Sequence, residues 1–228
     1  MVVRSGRWSQ VSCDCSADPI ASIRKAATAP VRLIVVVNGD RHDPAACAWL
    51  LAQPDVHTEF VPQPSLANAV LHGRRLVTTP YFATLDDDDA FTEGGLDQRL
   101  AVMESAAQPD LVVSNGVRRD VNGQDSPCYD TLADVPGAPL AALFRRPWLN
   151  SGNALYRSRS IGIEYFEDPH AFAEWTWLAF KLGGRRQAHR RSRGPDLRHL
   201  RHRRFALQVR GLREILHAAV RAHARTPA

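Results

Sequence analysis

The chain has 228 residues, of which 44% are hydrophobic and 23% are charged, and its formal net charge is +5. These values are typical of a soluble globular protein that is long enough to bury a substantial core, and they exclude an intrinsically disordered chain. No segment approaches the roughly 20 apolar residues of a membrane-spanning helix, and the first ten residues lack the apolar stretch of a secretory signal.

The four cysteines form neither a disulfide framework nor a zinc motif. Cys13 and Cys15 are separated by one residue, Cys47 and Cys128 stand alone, and the sequence has no C-x-x-C pair. We therefore expect free, reduced thiols, which is consistent with a cytoplasmic protein.

The alternation of short apolar runs with helical patterns indicates an α/β architecture. Its clearest element is "VRLIVVVNGD", because a β-branched and nearly continuous apolar run is typical of a central parallel strand buried on both faces. Around it, the first half predicts a weak strand at Trp8–Cys13, helices at 17–28, 44–53 and 65–76, and a short strand in "HTEFVPQ".

The second half continues the alternation. We predict one strand in "YFATL", a helix at 94–107, a strand at the start of "DLVVSNG", a long loop at 120–139 and a turn and strand in "NSGNALYRSRSI". The stretch "AFAEWTWLAFKLGG" predicts a helix that its two glycines close. A last helix is predicted from about Phe205 to Ala224.

The positive charge is concentrated in residues 185–204, which contain nine arginines and three histidines. A basic segment of this kind indicates an anionic partner, either a membrane surface or phosphate groups. We expect a cytoplasmic protein, either free or peripheral at the inner face of the membrane. Little aromatic interleaving accompanies the arginines, so we do not expect nucleic acid to be the partner.

Four consecutive aspartates, Asp86 to Asp89, follow the predicted strand in "YFATLDDDDAF". Ligands of open α/β sheets bind beyond the carboxyl ends of the strands, where "VVVNGD" also ends in polar residues. Adjacent carboxylates suit a hard divalent cation, which also relieves their mutual repulsion. The alternative is a solvated acidic loop in which Asp88 or Asp89 caps the next helix.

Five stretches in this order resemble inverting glycosyltransferase family 2: "RLIVVVNGD", "SLANAVLHG", "YFATLDDDDAF", "LNSGNALYRSRSIG" and "AEWTWLAFKLGG". The resemblance implies a GT-A fold, with a Rossmann-like, mostly parallel central sheet flanked by helices, to which the chain adds a C-terminal basic helix. It covers residues 8–184, with a nucleotide-binding half at about 8–117 and an acceptor half at about 118–184. Residues 185–228 would be a basic linker and the last helix.

The resemblance also implies roles for particular residues. Asp86 and Asp88 correspond to the ends of the family's D-x-D motif and would hold Mn²⁺ or Mg²⁺, with Asp89 as a supporting residue or helix cap. Glu174 corresponds to the catalytic base, for which Asp168 is the second candidate. Binding of the nucleotide sugar would involve Asp14, Asn38, Asp40, Asn68, Asp86 and Asp87, and binding of the acceptor Ser151, Gly152, Asn153 and Trp175.

The implied reaction is the metal-dependent, inverting transfer of a sugar from a UDP-, dTDP- or GDP-sugar to a hydroxyl of a sugar or lipid-linked acceptor, in polysaccharide or glycolipid synthesis. A carboxylate would take the proton of that hydroxyl, and the metal would stabilise the leaving diphosphate. Two alternatives stay open: a nucleotidyltransferase, although no Gly-rich phosphate loop is visible, and a relative that binds nucleotide sugars without turnover.

Overall fold

The computed structural model describes residues 2–5, 19–120, 122–168, 170, 172–191 and 205–208. The helices are α1 (Pro19–Ala26), α2 (Pro44–Leu51), α3 (Leu66–Leu76), α4 (Gly95–Met103), α5 (Pro139–Arg145) and α6 (Glu174–Arg191), with a 3₁₀ turn at Ile163–Tyr165. The strands are β1 (Val2–Ser5), β2 (Leu33–Asn38), β3 (Val56–Val61), β4 (Tyr81–Phe82), β5 (Thr84–Asp86), β6 (Leu111–Ser114), β7 (Val117–Arg119), β8 (Asp125–Pro127), β9 (Ala154–Arg157) and β10 (Phe205–Gln208).

The first sheet is entirely parallel and has the strand order β3-β2-β1-β5. All six residues of β2 are buried, as predicted from their continuous apolar character. Alternate side chains of β2 enter different cores: Leu33, Val35 and Val37 pack with α1, α2 and α4, whereas Ile34 and Val36 pack with α3. Helices therefore cover both faces of this sheet, as the α/β pattern predicts.

The first strand differs from the prediction. It lies at Val2–Ser5, between β2 and β5. The predicted strand at Trp8–Cys13 falls outside the described residues. A run of only four residues gives a weak sequence signal, and here it is the pairing on both sides that defines the strand.

The stretch "YFATL" forms two strands instead of the single strand predicted. Tyr81–Phe82 pair antiparallel with β9 in the second sheet, whereas Thr84–Asp86 pair in parallel with β1 in the first. The chain changes sheets at Ala83, so this short segment joins the two layers and delivers Asp86 at the edge of the parallel sheet.

The second sheet has the order β10-β6-β9-β4, with β9 antiparallel to both of its neighbours. Phe205–Gln208 pair in parallel with β6, so the prediction of a helix from Phe205 is wrong for these four residues. The rest of that predicted basic helix lies outside the described residues. The apolar pattern of "FALQ" suits either structure, and the pairing partner decides between them.

Two further expectations are corrected. The predicted loop at 120–139 contains β8, which forms an antiparallel hairpin with β7. The glycines at 183 and 184 do not close α6, which continues to Arg191. A Cβ atom at Gly183 would lie 2.9 Å from Cδ2 of Leu140, so this glycine allows α5 to pack closely on α6. In the part of the chain that is described, no helix is long and apolar enough to cross a membrane.

Candidate functional site

The carboxyl ends of β2, β1 and β5 meet at one edge of the parallel sheet. In the register of these strands, Arg4 of β1 pairs with Val36 on one side and with Asp86 on the other. Val36 and Asp86 are therefore level with each other and two strand spacings apart, which is about 9.6 Å. The polar ends of β2 and β5, which begin at Asn38 and Asp86, consequently lie at the same edge of the sheet, and we call the space beyond this edge the cleft.

Three of the four aspartates converge directly after β5. Asp86, Asp88 and Asp89 each offer a carboxylate oxygen, and these three oxygens lie within 4.8 Å of one another. A turn brings them together, in which the backbone N–H of Asp89 donates to the carbonyl oxygen of Asp86 over 3.3 Å. We call these three residues the acidic cluster. The sequence predicted the first two as metal ligands, whereas Asp89 was expected only to support the site or cap a helix.

The electrostatics of the acidic cluster are unfavourable without a cation. The pKa of Asp89 is raised to about 6, mainly by desolvation of its carboxyl group and also by repulsion from Asp88, Asp86 and Asp87. Asp89 as a whole residue is exposed, but its carboxyl group lies among the other carboxylates. This crowding desolvates the group and concentrates negative charge where a positive partner would be stabilised.

The donor set fits a hard divalent cation. Such ions take carboxylate oxygens, and at an Mg²⁺–oxygen distance of about 2.1 Å two opposite ligands are about 4.2 Å apart. At most one pair of three such ligands can be opposite, and adjacent ligands are about 3.0 Å apart, so the observed oxygens, which lie within 4.8 Å of one another, would draw closer together around one ion. Three carboxylates would leave further coordination positions for phosphate oxygens or water.

The capping alternative for these aspartates is wrong. Helix α4 begins at Gly95, its N-cap is Gly94 in a left-handed conformation (φ +66°), and no side chain caps it. Asp88 and Asp89 lie five or more residues before the first turn of the helix. They are therefore not explained by the start of α4.

The end of β2 forms the other side of the cleft. Asn38 is buried, and its Nδ2 donates to the carbonyl oxygen of Ser65 over 3.5 Å. Ser65 caps α3 by accepting the backbone N–H of Asn68, and the side chain of Asn68 donates to Gln63 over 3.0 Å. Asp40 is exposed beyond the turn. Asp14, the remaining predicted nucleotide contact, lies outside the described residues.

The predicted acceptor turn, residues 150–153, is joined to the strand that carries the acidic cluster. The backbone N–H of Gly152 donates to the carbonyl oxygen of Thr84 over 2.9 Å. Gly152 has φ +74°, and a Cβ atom there would lie 3.1 Å from Cδ1 of Leu85, so both conformation and space favour glycine. The turn therefore lies beside the end of β5.

The polar side chains of this turn have different surroundings. The amide of Asn153 is used within the turn, because its oxygen accepts the N–H of Asn150 and its nitrogen donates to the carbonyl of Trp148, both over 3.0 Å. Asn153 thus shapes the turn. The hydroxyl of Ser151 is buried and has no hydrogen-bond partner among the described residues.

Glu174 is the first residue of α6 and is half-buried. Its carboxylate accepts the backbone N–H of Phe172 over 3.2 Å. Together with Trp175 it lines a cavity of about 20 Å³ against Ala67 and Val70 of α3. Ala67 lies in the first turn of α3, directly after Ser65, and Ser65 contacts Asn38 at the end of β2. The N-terminus of α6, which packs near Ala67, therefore lies toward the same end of the fold as the cleft.

Asp168, the second candidate for the base, is in a different environment. Its carboxylate forms an ion pair with Lys181, which lowers the pKa of Asp168. An acid held by a lysine in this way is a poorer proton acceptor than one without such a partner.

Sequence reasoning missed Arg99 and Tyr129. Arg99 is buried in α4 and donates to the carbonyl oxygen of Gly152 over 2.7 Å. Tyr129 is held by Asn115, whose amide bonds both the N–H and the carbonyl of Tyr129. An arginine inside the pattern of a helix and a tyrosine inside a predicted loop carry no local signal of these contacts.

No family model and no curated protein matches the chain. Solved structures do: glucosyl-3-phosphoglycerate synthase from Mycobacterium tuberculosis in complex with UDP matches over 94% of this chain and 73% of its own, with 14% identity and a TM-score of 0.52. Two further structures are more distant. Mannosyl-3-phosphoglycerate synthase from Rubrobacter xylanophilus has 14% sequence identity and a TM-score of 0.47, and the match covers 98% of this chain and 72% of that protein. Residues 1–349 of S. aureus TarS with UDP have 14% sequence identity and a TM-score of 0.46, and the match covers 73% of this chain and 50% of that one. The first likeness shows that the chain shares the fold of the M. tuberculosis synthase, the GT-A fold that the sequence resemblance implied.

Proposed function

We propose that the protein transfers a sugar from a nucleotide-diphospho-sugar to an acceptor hydroxyl, with inversion at the anomeric carbon and with a divalent cation in the acidic cluster. One observation carries the proposal: three carboxylate oxygens converge within 4.8 Å at the end of β5, at the same edge of the sheet as the polar end of β2. In this fold, that is the edge of the sheet at which ligands bind.

Different residues of the cleft would bind the diphosphate and the nucleoside of the donor. The acidic cluster would hold Mn²⁺ or Mg²⁺, which supplies the positive charge that stabilises the leaving diphosphate. Asn38, Asp40 and Asn68 would contact the nucleoside, since they surround the end of β2 and the cap of α3. The structurally similar synthase from M. tuberculosis is in complex with UDP, which makes a uridine nucleotide the first donor to test.

The acceptor would lie over the turn at 150–153. Its hydroxyl would give a proton to Glu174 as the oxygen forms a bond to the anomeric carbon, and the bond between that carbon and the diphosphate would break on the opposite face. Glu174 suits this role better than Asp168 because no lysine or arginine bonds its carboxylate among the described residues, whereas Lys181 pairs with Asp168. Trp175 lines the same small cavity as Glu174 and would contact the acceptor from that side.

We place the reaction in polysaccharide or glycolipid synthesis at the inner face of a membrane. The support is the basic character of residues 185–204, where nine arginines would favour an anionic surface. A vesicle-sedimentation assay tests the membrane location separately from the reaction. At low salt the protein should sediment with vesicles that contain 30% anionic lipid, and it should not sediment with neutral vesicles.

The decisive experiment is a thermal-shift panel of UDP, dTDP and GDP, each with and without Mn²⁺. A nucleotide at 100 times its dissociation constant should raise the free energy of unfolding by about 2.7 kcal/mol. We expect at least one nucleotide to raise Tm only when Mn²⁺ is present. If all three leave Tm unchanged with Mn²⁺, the donor site is wrongly assigned.

A further inference from the structure

A second group of polar side chains borders the acidic cluster and has no part in binding the donor as proposed above. It consists of Arg118, Tyr129, Arg146 and Asn150, which we call the cationic wall. Asn150 joins this wall to the acceptor turn, which is bonded through the N–H of Gly152 to Thr84 of β5, the strand that precedes the acidic cluster. Burial raises the pKa of the Cys128 thiol, Arg118 lowers it and Asp89 raises it, in keeping with a position of this thiol between the wall and the cluster.

The geometry of the β7–β8 hairpin directs Arg118 toward the cluster. Arg118 pairs with Ser126, and the next residue pair that faces the same side is Gly116 with Cys128, where the N–H of Cys128 donates to the carbonyl of Gly116 over 2.9 Å. Directly opposite residues of an antiparallel pair share a face, and faces alternate along each strand. Arg118 consequently extends from the face that carries Cys128, which is the side of Asp89.

On the other face of the hairpin, an ion pair neutralises the arginine. There Arg119 donates to Asp125 over 2.8 Å and 2.9 Å in a two-pronged ion pair. Arg118, by contrast, makes no side-chain hydrogen bond or ion pair within the described ranges, although it is only one residue away. The two arginines therefore differ in the face they occupy and in whether a carboxylate already neutralises them.

Tyr129 is fixed at the centre of the cationic wall. Its backbone is bonded on both sides by Asn115, and its hydroxyl oxygen accepts a hydrogen bond from Nδ2 of Asn150, the first residue of the acceptor turn. That bond uses the oxygen as an acceptor, so the phenolic proton remains for another partner. Burial raises the pKa of this phenol, which keeps it protonated and able to donate at neutral pH.

Arg146 supplies a second positive charge near the same phenol. Arg146 lies four residues before Asn150, which bonds the phenol of Tyr129. Burial is the largest effect on the pKa of Tyr129 and raises it, whereas the charges of Arg118 and Arg146 lower it. Arg146 also contacts Asp134, but this one carboxylate is shared with Arg145. The Nε atom of Arg146 is buried and has no hydrogen-bond partner in the described part of the chain. Positive charge is thus in excess at this wall.

We propose that the cationic wall binds an anionic group of the acceptor, a phosphate ester or a carboxylate, that lies close to the hydroxyl to be glycosylated. This inference rests on the proposed transfer. The cation of the acidic cluster and the cationic wall are two separate positive charges in one cleft. A donor diphosphate bound to the cation leaves the cationic wall free to bind another anion. Arg118 and the phenolic proton of Tyr129 are the donors that would meet it.

The test compares three probes by isothermal titration calorimetry in the presence of saturating UDP and Mn²⁺. Glycerol 3-phosphate carries a phosphate ester, glycerate carries a carboxylate, and glycerol carries neither. We expect the protein to bind at least one of the two anions and not glycerol. Comparison of glycerol 3-phosphate with glycerate identifies which anionic group the cationic wall prefers.

Two charge-matched variants locate the site. Arg118→Gln should weaken binding of the preferred anion by about tenfold, the typical loss for one hydrogen bond to a charged group. Arg119→Gln removes the same charge from the same strand but from the opposite face, and should change that affinity less than twofold. Equal losses in the two variants, or no anion binding to the parent protein, would overturn the proposal.

The affinity for UDP with Mn²⁺ separates this inference from the proposed function. We expect it to be the same in the parent protein and in Arg118→Gln. If Arg118→Gln weakens UDP binding as strongly as anion binding, the arginine serves the donor diphosphate and the acceptor assignment is wrong. If the parent protein fails to bind any nucleotide but still binds the anions through Arg118, the donor site fails and the anion site stands.

Discussion

Arg99 and Gly152 form a buried hydrogen bond that ties the helix after the acidic cluster to the acceptor turn. The Nη1 atom of Arg99 donates to the carbonyl oxygen of Gly152 over 2.7 Å. The same guanidinium lies 5.2 Å from the ring centre of Phe91, which follows the cluster in the chain. One side chain therefore contacts both the loop of the proposed cation site and the turn of the proposed acceptor site.

The bond is unusual because Arg99 has no carboxylate partner among the described residues. Only 8% of Arg99 is exposed, and burial lowers its pKa to about 10. At neutral pH it is still charged, so its desolvation offsets part of what the charged hydrogen bond contributes. A costly buried cation at this position is consistent with a role in fixing the turn.

We predict that Arg99→Met raises the KM for the acceptor at least tenfold, because the carbonyl of Gly152 loses its donor and the turn is no longer fixed. The free energy of unfolding should change by less than about 2 kcal/mol, since the loss of the hydrogen bond is offset by relief of the buried charge. Steady-state kinetics and urea denaturation measure the two quantities. An unchanged acceptor KM would remove Arg99 from the site.

The second prediction concerns Asp88, a member of the acidic cluster. Asp88→Asn keeps the shape of the side chain but removes one ligand charge, so it should abolish the Mn²⁺-dependent part of nucleotide binding. The fold should persist, because the change also removes a carboxylate that repels its neighbours. Glu93→Gln, which removes an exposed acid outside the acidic cluster, is the matched control. Equal nucleotide affinity in Asp88→Asn and the parent protein would exclude Asp88 as a ligand.

The third prediction is a pH dependence that comes from Asp89. Its pKa in the folded, metal-free protein is about 6, above the value of about 3.9 for an unfolded chain. The folded state therefore binds this proton more tightly, and the contribution of Asp89 to stability becomes more favourable as pH falls from about 7 toward 4. Asp89→Asn should raise Tm at pH 7.5, and the gain should disappear near pH 4.

The same titration predicts competition between protons and the cation. Mn²⁺ needs the ionised carboxylate, so its affinity should be lower at pH 5.5 than at pH 7.5. Calorimetry at the two pH values measures this difference in Mn²⁺ affinity. For the Tm of Asp89→Asn, the Tm of Glu93→Gln is the control for the loss of a surface charge. A metal-free Tm gain in Asp89→Asn that is the same at pH 4 and pH 7.5 would contradict the assignment of the raised pKa.

Local sequence patterns predicted the elements whose stability depends on their own residues. The six buried residues of β2, the helix α3 and the acidic run after β5 all follow from short-range chemistry. The errors arise where long-range pairing decides. "VVRS" becomes a central strand only because β2 and β5 lie on both sides of it, and Phe205–Gln208 becomes a strand through β6.

The site shows the same division. The cost of adjacent carboxylates without a cation predicted a metal site in the acidic run, and the resemblance to the D-x-D motif singled out Asp86 and Asp88 as ligands. The inclusion of Asp89 depends on a turn that the sequence does not specify. Gly183 was read as a helix stop, although its lack of a side chain serves the packing of α5 on α6. A glycine in a helical pattern has both uses, and only the partner helix distinguishes them.

The last prediction is that Glu174 is the catalytic base. Glu174→Gln keeps an oxygen that can accept the N–H of Phe172, so the start of α6 should be preserved. Affinity for UDP with Mn²⁺ should change less than twofold, because Glu174 is not one of the proposed donor contacts. Turnover should fall by about 10²–10⁴-fold, the usual contribution of a general base.

Asp168→Asn is the matched control for Glu174→Gln. It removes a carboxylate six residues earlier in the chain that is exposed and paired with Lys181, and it should leave turnover within about threefold of the parent. Both variants are measured for sugar transfer and for nucleotide affinity under the same conditions. If Glu174→Gln keeps near-parental turnover while Asp168→Asn loses it, the base is Asp168, and the N-terminus of α6 positions the acceptor without taking its proton.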